Sequence, residues 1–206
     1  MHILLTRHGQ VEGIQPERFR GRKDLALTGL GRRQAQALAH RVATEATPQA
    51  VYTSPLRRSR ETAAEIAAAC GLGVQTMESL VDLDYGEWQW RTHDEVRLTH
   101  PHDYALWEGA PQWLRFPRGE SLQDVALRVA DGLRALLHRH ADHTVVLVGH
   151  DSVNRVLLLH ALGLPLSAYW RIAQSPGCLN RIDVTLRGGA AVLLLNDIMH
   201  LRELAP

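Results

Sequence analysis

The most constraining feature of this chain is the apolar run Ile3-Leu4-Leu5, followed at once by Thr6-Arg7-His8-Gly9. A run of this kind that stops abruptly in Arg-His-Gly reads as a buried strand ending at a polar site. In open α/β sheets such sites lie at the carboxyl ends of the strands, where ligands collect. An Arg beside a His offers a fork of donors next to a nitrogen nucleophile, the parts of a phosphate pocket. Gly9 lets the backbone approach a ligand closely. Taken alone, the three residues also fit a surface Arg and a His that merely ends a strand. The rest of the chain decides between them.

The same pattern returns twice. Residues 50–53 read as a second strand, and Ser54-Pro55 then supplies an N-cap and a first helical residue for a helix running to about Ala69. Residues 144–148 form the strongest strand pattern and lead into Gly149-His150-Asp151, followed by a helix over about 152–162 that Gly163 and Pro165 stop. Between these, Thr28 caps a helix carrying Ala35, Leu38 and Val42, and residues 74–77 suit a short third strand. Ser121 and Asp124 resemble a capping box before the apolar face of Leu122, Val125, Val129, Leu133 and Leu136. Residues 180–186 and 190–196 make a hairpin candidate around Arg187-Gly188-Gly189. Residues 82–120, with Trp88, Trp90, Trp107 and Trp113, are looser and read as an irregular, cap-like region. The expected fold is one α/β domain over residues 1–206. Its central sheet is mostly parallel, with helices on both faces and a C-terminal antiparallel element.

Composition narrows the function. The chain has 206 residues, 45% of them hydrophobic, enough for one well-buried domain. A formal net charge of +1 argues against a general nucleic-acid binder. No apolar run reaches membrane-spanning length, and Met1-His2-Ile3 enters the first strand without a signal peptide. Cys70 and Cys178 make no disulfide framework and suit a reducing compartment. A cytoplasmic protein with no nucleic-acid or membrane partner is the expectation. The sequence sets no oligomeric state.

Three strand ends, then, each bring Arg or His toward one edge of the sheet, and helix starts add free N–H groups and a positive dipole end. Here the chain resembles the histidine phosphatase superfamily, the phosphoglycerate mutase-like proteins. The motifs carrying the resemblance are Arg7-His8-Gly9, Arg18-Phe19-Arg20-Gly21, Leu27-Thr28, Ser54-Pro55-Leu56-Arg57-Arg58, Tyr85-Gly86-Glu87-Trp88, Gly119-Glu120-Ser121 and Gly149-His150. They fall in the family's order from residue 3 to about residue 163.

The resemblance implies that His8 attacks phosphorus in line and that water hydrolyses the resulting phosphohistidine. Arg7, Arg58 and His150, the last protonated or as a neutral donor, would hold the phosphoryl oxygens. Arg20, Gly21 and Asp151 join Arg7 and Arg58 as substrate-binding candidates, and Arg57 reads as a solvated helix residue. No cofactor or metal is called for, because the arginines provide the positive charge. Neighbouring guanidinium groups are expected to keep His8 neutral. For the proton donor, Asp82 stands where the family usually has Glu. Asp151 is the rival, because the acid-phosphatase branch uses a His-Asp pair that His150-Asp151 resembles. Its plain alternative is a first-turn helix carboxylate. Asp84 and Glu87 read as loop-structuring or exposed.

Other positions depart from the family pattern. Gln10, Val11 and Ile14 replace commoner polar residues, and Trp90 stands where a Gly is usual. Arg20, Arg22 and Lys23 make an unusually cationic loop, either to select a second anionic group or simply to face solvent. The aromatics of residues 104–116 are expected mainly as a satellite cluster, and His138, His140 and His143 as structural residues at a helix C-terminus. The expected activity is hydrolysis of a small phosphorylated metabolite. The alternatives are a mutase and a non-catalytic phosphoryl-binding module.

Overall fold

The computed structural model describes residues 1–185 and 189–204. Six strands, β1 (His2–Arg7), β2 (Ala50–Thr53), β3 (Val74–Thr76), β4 (Thr144–Gly149), β5 (Leu179–Val184) and β6 (Ala190–Asp197), form one sheet in the order β3-β2-β4-β1-β5-β6. The first four strands run parallel, while β5 is antiparallel to both β1 and β6. This is the mostly parallel sheet with an antiparallel end that the pattern predicts. Of the expected turn at 187–189, only Gly189 lies within the described residues, where its carbonyl accepts from the Thr185 N–H at 2.9 Å.

Side chains alternate across the sheet, and both faces are covered. On one face Leu4, Val51, Val146 and Val148 pack against helices α1 (Gly29–Glu45) and α2 (Arg57–Cys70), through Leu38, Val42, Ala63 and Ile66. On the other, Ile3, Leu5, Tyr52, Val145 and Leu147 form one cluster with Val125, Val129, Val156 and Leu157. Burial on both faces is why β1 and β4 read as unbroken apolar runs. Each large aliphatic side chain contributes about 1.5–3 kcal/mol on burial. That two-sided core is a firm base for charged groups at the strand ends.

The remaining helices are α3 (His93–Thr99), α4 (Pro101–Gly109), α5 (Leu122–Arg139) and α6 (Asp151–Leu162). Thr28 caps α1 by accepting from the Gly31 N–H, and Ser121 with Asp124 makes the capping box of α5. α2 departs from expectation. It begins at Arg57 with Leu56 at the N-cap, two residues beyond the predicted start. The Ser54 N–H still donates to Val148 at 3.1 Å, so the chain remains in sheet pairing there and cannot yet turn helical.

Residues 82–120 hold α3, α4 and short 3-10 turns. Of the aromatics of residues 104–116 expected as a satellite cluster, only Trp113 stays outside the main core, exposed at the surface. Trp88, Tyr104, Trp107 and Phe116 belong to the same cluster as β1, β4 and α5. Trp88 meets Phe19 and Phe116 edge-on, at 5.2 and 5.0 Å between centroids. Gly86 turns at φ 51°, and a Cβ there would meet the Pro117 carbonyl at 2.0 Å, so this turn requires glycine. Trp90 holds a left-handed φ of 69°, which explains why a Gly is usual at this position and marks Trp90 as strained. Among the described residues no helix is long and apolar enough to cross a membrane.

Candidate active site

The register of the sheet places β1, β4 and β2 side by side at their carboxyl ends. Arg7 pairs with Gly149, and Thr53 with Val148. The next residues of the three strands, His8, His150 and Ser54, therefore share one edge. The His8 N–H extends the ladder by donating to the Gly149 carbonyl at 3.1 Å. Gly9 lies so close to the start of α1 that a Cβ on it would meet the Gly31 carbonyl at 2.3 Å. The glycine in Arg-His-Gly thus serves strand–helix approach.

Arg58, in the first turn of α2, joins the cluster and is fully buried. Its Nε–H points at both Nε2 of His8 (3.1 Å) and Nδ1 of His150 (3.2 Å). One of its terminal nitrogens donates to Asp82 Oδ2 at 3.0 Å and to the Gly21 carbonyl at 2.6 Å, and the other to the Lys23 carbonyl at 2.8 Å. Arg57, one residue earlier, points away and pairs with Glu61 at 2.7 Å. Arg7 is buried, donates to the Gln174 carbonyl and lies 3.7 Å from Asp151. Its Nε is buried with no partner among the described residues, leaving a donor that a bound anion would satisfy.

These contacts set the histidine tautomers. A carbonyl can only accept, so His8 donates Nδ1–H to the Gly9 carbonyl at 2.7 Å and keeps its lone pair on Nε2. His150 accepts at Nδ1 and presents Nε2–H to Ser54 Oγ at 2.7 Å, with Ser59 Oγ at 3.3 Å. Burial first, then Arg58 and Arg7, hold the pKa of His8 well below its ordinary value. Burial, Arg58 and His8 do the same to His150. Of the two states considered for His150, the geometry fits the neutral one. The arginines expected to keep His8 neutral do act in that direction, with burial the largest single cause.

Asp82 is buried, accepts from its neighbour Leu83 N–H at 2.9 Å and lies 3.7 Å from His150 Nδ1. Burial raises its pKa above the ordinary carboxylate value, with Arg58 and Arg20 opposing. Asp151 opens α6 and is engaged by Arg155 at 3.0 Å, outside the histidine pair. Gly21 contributes its carbonyl, which holds Arg58. Beside this cluster lies a cavity of about 190 Å³ lined by Arg20, Gly21, Asp82, Tyr85, Trp107 and Asp151, among others. The structure thus gathers Arg7, His8, Arg58, Asp82 and His150 into one buried group, and places Arg20, Gly21 and Asp151 along the adjoining cavity.

Sequence reasoning missed Ser54 and Ser59 as partners of His150. It also missed the cavity walls formed by Trp107, Arg155 and Trp170. No spacing signal marks these residues, because they converge from separate elements. The cationic loop divides in a way the sequence did not show. Arg22 pairs with Glu120 at 2.9 Å and Asp84 at 3.5 Å, and Lys23 sits over the Trp90 ring at 4.6 Å. His140 accepts from or donates to the Tyr52 hydroxyl at 2.9 Å, a packing role.

A sequence profile of the histidine phosphatase superfamily (branch 1) matches residues 3–198. The chain belongs to this family. Among curated relatives, phosphoserine phosphatase 1 of Hydrogenobacter thermophilus is 33% identical, over 98% of this chain and 94% of that protein. A Proteus mirabilis protein named "Probable phosphoglycerate mutase GpmB" is 32% identical, over 100% and 97%. Among solved structures of similar fold, Bacillus stearothermophilus YhfR superposes with a TM-score of 0.91 at 29% identity, covering 98% of this chain and 99% of that one. The five clustered side chains of this histidine phosphatase lie within the matched span.

Proposed function

We propose that this histidine phosphatase hydrolyses small phosphomonoesters through a phosphohistidine on Nε2 of His8. The observation that carries the reading is the tautomer of His8: Nδ1–H is committed to the Gly9 carbonyl, so a lone pair stands on Nε2 beside Arg58. Burial keeps that nitrogen unprotonated at neutral pH. A phosphoryl group entering here would replace His8 as acceptor for Arg58 and satisfy the unpartnered Nε of Arg7.

In the first step Nε2 of His8 bonds to phosphorus as the bond to the leaving oxygen breaks, and Asp82 gives that oxygen its proton. In the second, the Asp82 carboxylate takes a proton from water as its oxygen attacks the phosphohistidine. Phosphate leaves and His8 is neutral again. Arg7 and Arg58 hold the equatorial oxygens while charge redistributes. His150, expected as a third holder, has its Nε2–H on Ser54 and its Nδ1 accepting from Arg58, so it positions that guanidinium instead. Preorganised donors of this kind act most strongly in a dry site. Asp82 is the donor in this reading because it touches Arg58 and faces His150, whereas Asp151 is held by Arg155. The branch of the matched family supports the same choice. The phosphatase name of the Hydrogenobacter relative supports hydrolysis as the outcome, and the two free cysteines suit a cytoplasmic setting.

The test is to quench turnover of a ³²P-labelled ester in base and locate acid-labile, base-stable label. Label on the peptide containing His8, and its loss with turnover in His8→Ala, is the expected result. Near-normal turnover by His8→Ala would refute the mechanism. Return of the label to a second position of the alcohol, without phosphate release, would assign the mutase reaction suggested by the GpmB relative.

A further inference from the structure

The loop after β1 carries four cations, and the fold uses three of them internally. Arg18 donates to the Trp90 carbonyl at 2.8 Å and faces Glu95 at 3.9 Å. Arg22 is ion-paired with Glu120 and Asp84, and Lys23 rests on the Trp90 ring. Arg20 is different. One terminal nitrogen, NH1, donates to the Gly13 and Arg18 carbonyls at 2.7 and 3.3 Å, and no carboxylate lies within ion-pair distance among the described residues. Its Nε–H and NH2 have no protein acceptor there, and these two donors form the side-on edge of the guanidinium that grips a carboxylate bidentately.

Arg20 also lines the cavity next to the histidines. The acids on that wall lie beyond ion-pair distance of Arg20. Asp82 is bound by Arg58, Asp151 by Arg155, and Glu17 faces His93 at 3.9 Å. Arg20 is therefore a cation on that wall with no ion-pair partner among the described residues, placed where the leaving group of a bound ester would extend. Its charge is felt at both His8 and Asp82, which places it near the reacting centre. At about 190 Å³ the cavity is smaller than the roughly 300–1,000 Å³ typical of drug-sized ligand sites, so the leaving group is short.

Building on the hydrolase reading, we propose that Arg20 binds a carboxylate on the leaving group, so that the preferred substrates are small phosphorylated carboxylic acids. A second phosphate is the poorer match, because a single free guanidinium would leave part of its double charge uncompensated in a partly buried site.

The experiment compares ester pairs that differ at one carboxylate: O-phosphoserine against O-phosphoethanolamine, and 3-phosphoglycerate against glycerol 3-phosphate. The wild-type enzyme should favour the carboxylated member of each pair in kcat/KM. In Arg20→Gln that preference ratio should fall roughly ten- to a hundredfold, the scale of a hydrogen bond to a charged group. Arg20→Lys, which keeps the charge but loses the fork, should retain part of the preference. Equal losses on both members would make Arg20 a phosphoryl ligand and overturn the proposal, as would an absence of preference in the wild type. Unfolding midpoints of both variants identify any loss that comes from a loosened loop. If the wild type hydrolyses none of the four esters, the hydrolase reading fails. The subsite is then read separately, from calorimetric affinities of His8→Ala and His8→Ala/Arg20→Gln for the same esters. A carboxylate preference that disappears with Arg20 upholds it, and equal affinities within each pair overturn it.

Discussion

The Nε–H of Arg58 lies 3.1 Å from Nε2 of His8, so one guanidinium N–H occupies the position from which the nucleophile would attack. The same arginine also donates to Asp82, the candidate acid, at 3.0 Å. It therefore positions both ends of the proposed reaction, and its helix neighbour does neither. Adjacent helix residues point about 100° apart, and only one of them can face the strand ends.

Replacing Arg58 with Ala should lower kcat on the order of 10² to 10³, the effect of removing a preorganised donor from a transferring group. Arg57→Ala removes an exposed ion pair with Glu61, a contact worth about 0–1 kcal/mol of stability, and should leave kcat nearly unchanged. Steady-state kinetics on the two variants checks this. Comparable losses in both would mean that the helix is read in the wrong register.

The pH dependence follows from two shifts of opposite direction. His8 must be neutral to attack, and its lowered pKa puts the acid limb of kcat/KM well below pH 6.5. Asp82 must be protonated to give its proton, and its raised pKa carries the protonated form to higher pH, where a bound phosphoryl group would extend it further. Activity should therefore fall on the alkaline side as Asp82 loses its proton. That limb should vanish in Asp82→Asn while the acid limb stays. A pH–rate profile whose alkaline limb survives the substitution would remove Asp82 from the role.

The identity of the proton donor can be read from leaving-group dependence. Asp82→Asn should slow alkyl phosphates by about 10² or more yet spare activated aryl phosphates, whose leaving groups need little protonation. Asp151→Asn should change both alike, since Asp151 pairs with Arg155 and touches Arg7. A steeper leaving-group dependence in the Asp151 variant, with none in the Asp82 variant, would give the acid to the residue after His150.

The local sequence by itself determined the elements and the chemical types at their ends. The apolar runs before Arg7-His8 and Gly149-His150, the caps at Thr28 and Ser121 and the stop at Gly163 are all local signals, and each element they specify is present. What they could not contain is distance across the sheet. The order β2-β4-β1 brings Ser54, His150 and His8 together from positions far apart in the chain, and that order comes from burying both sheet faces at once. The same global packing drew Trp88, Tyr104, Trp107 and Phe116 into the main core. It also delayed α2 until Ser54 had finished pairing with the sheet, and consumed Arg18, Arg22 and Lys23 while leaving Arg20 free. Which charges are neutralised depends on which partners the fold brings within a few ångströms, and a linear pattern of residue types carries no information about that.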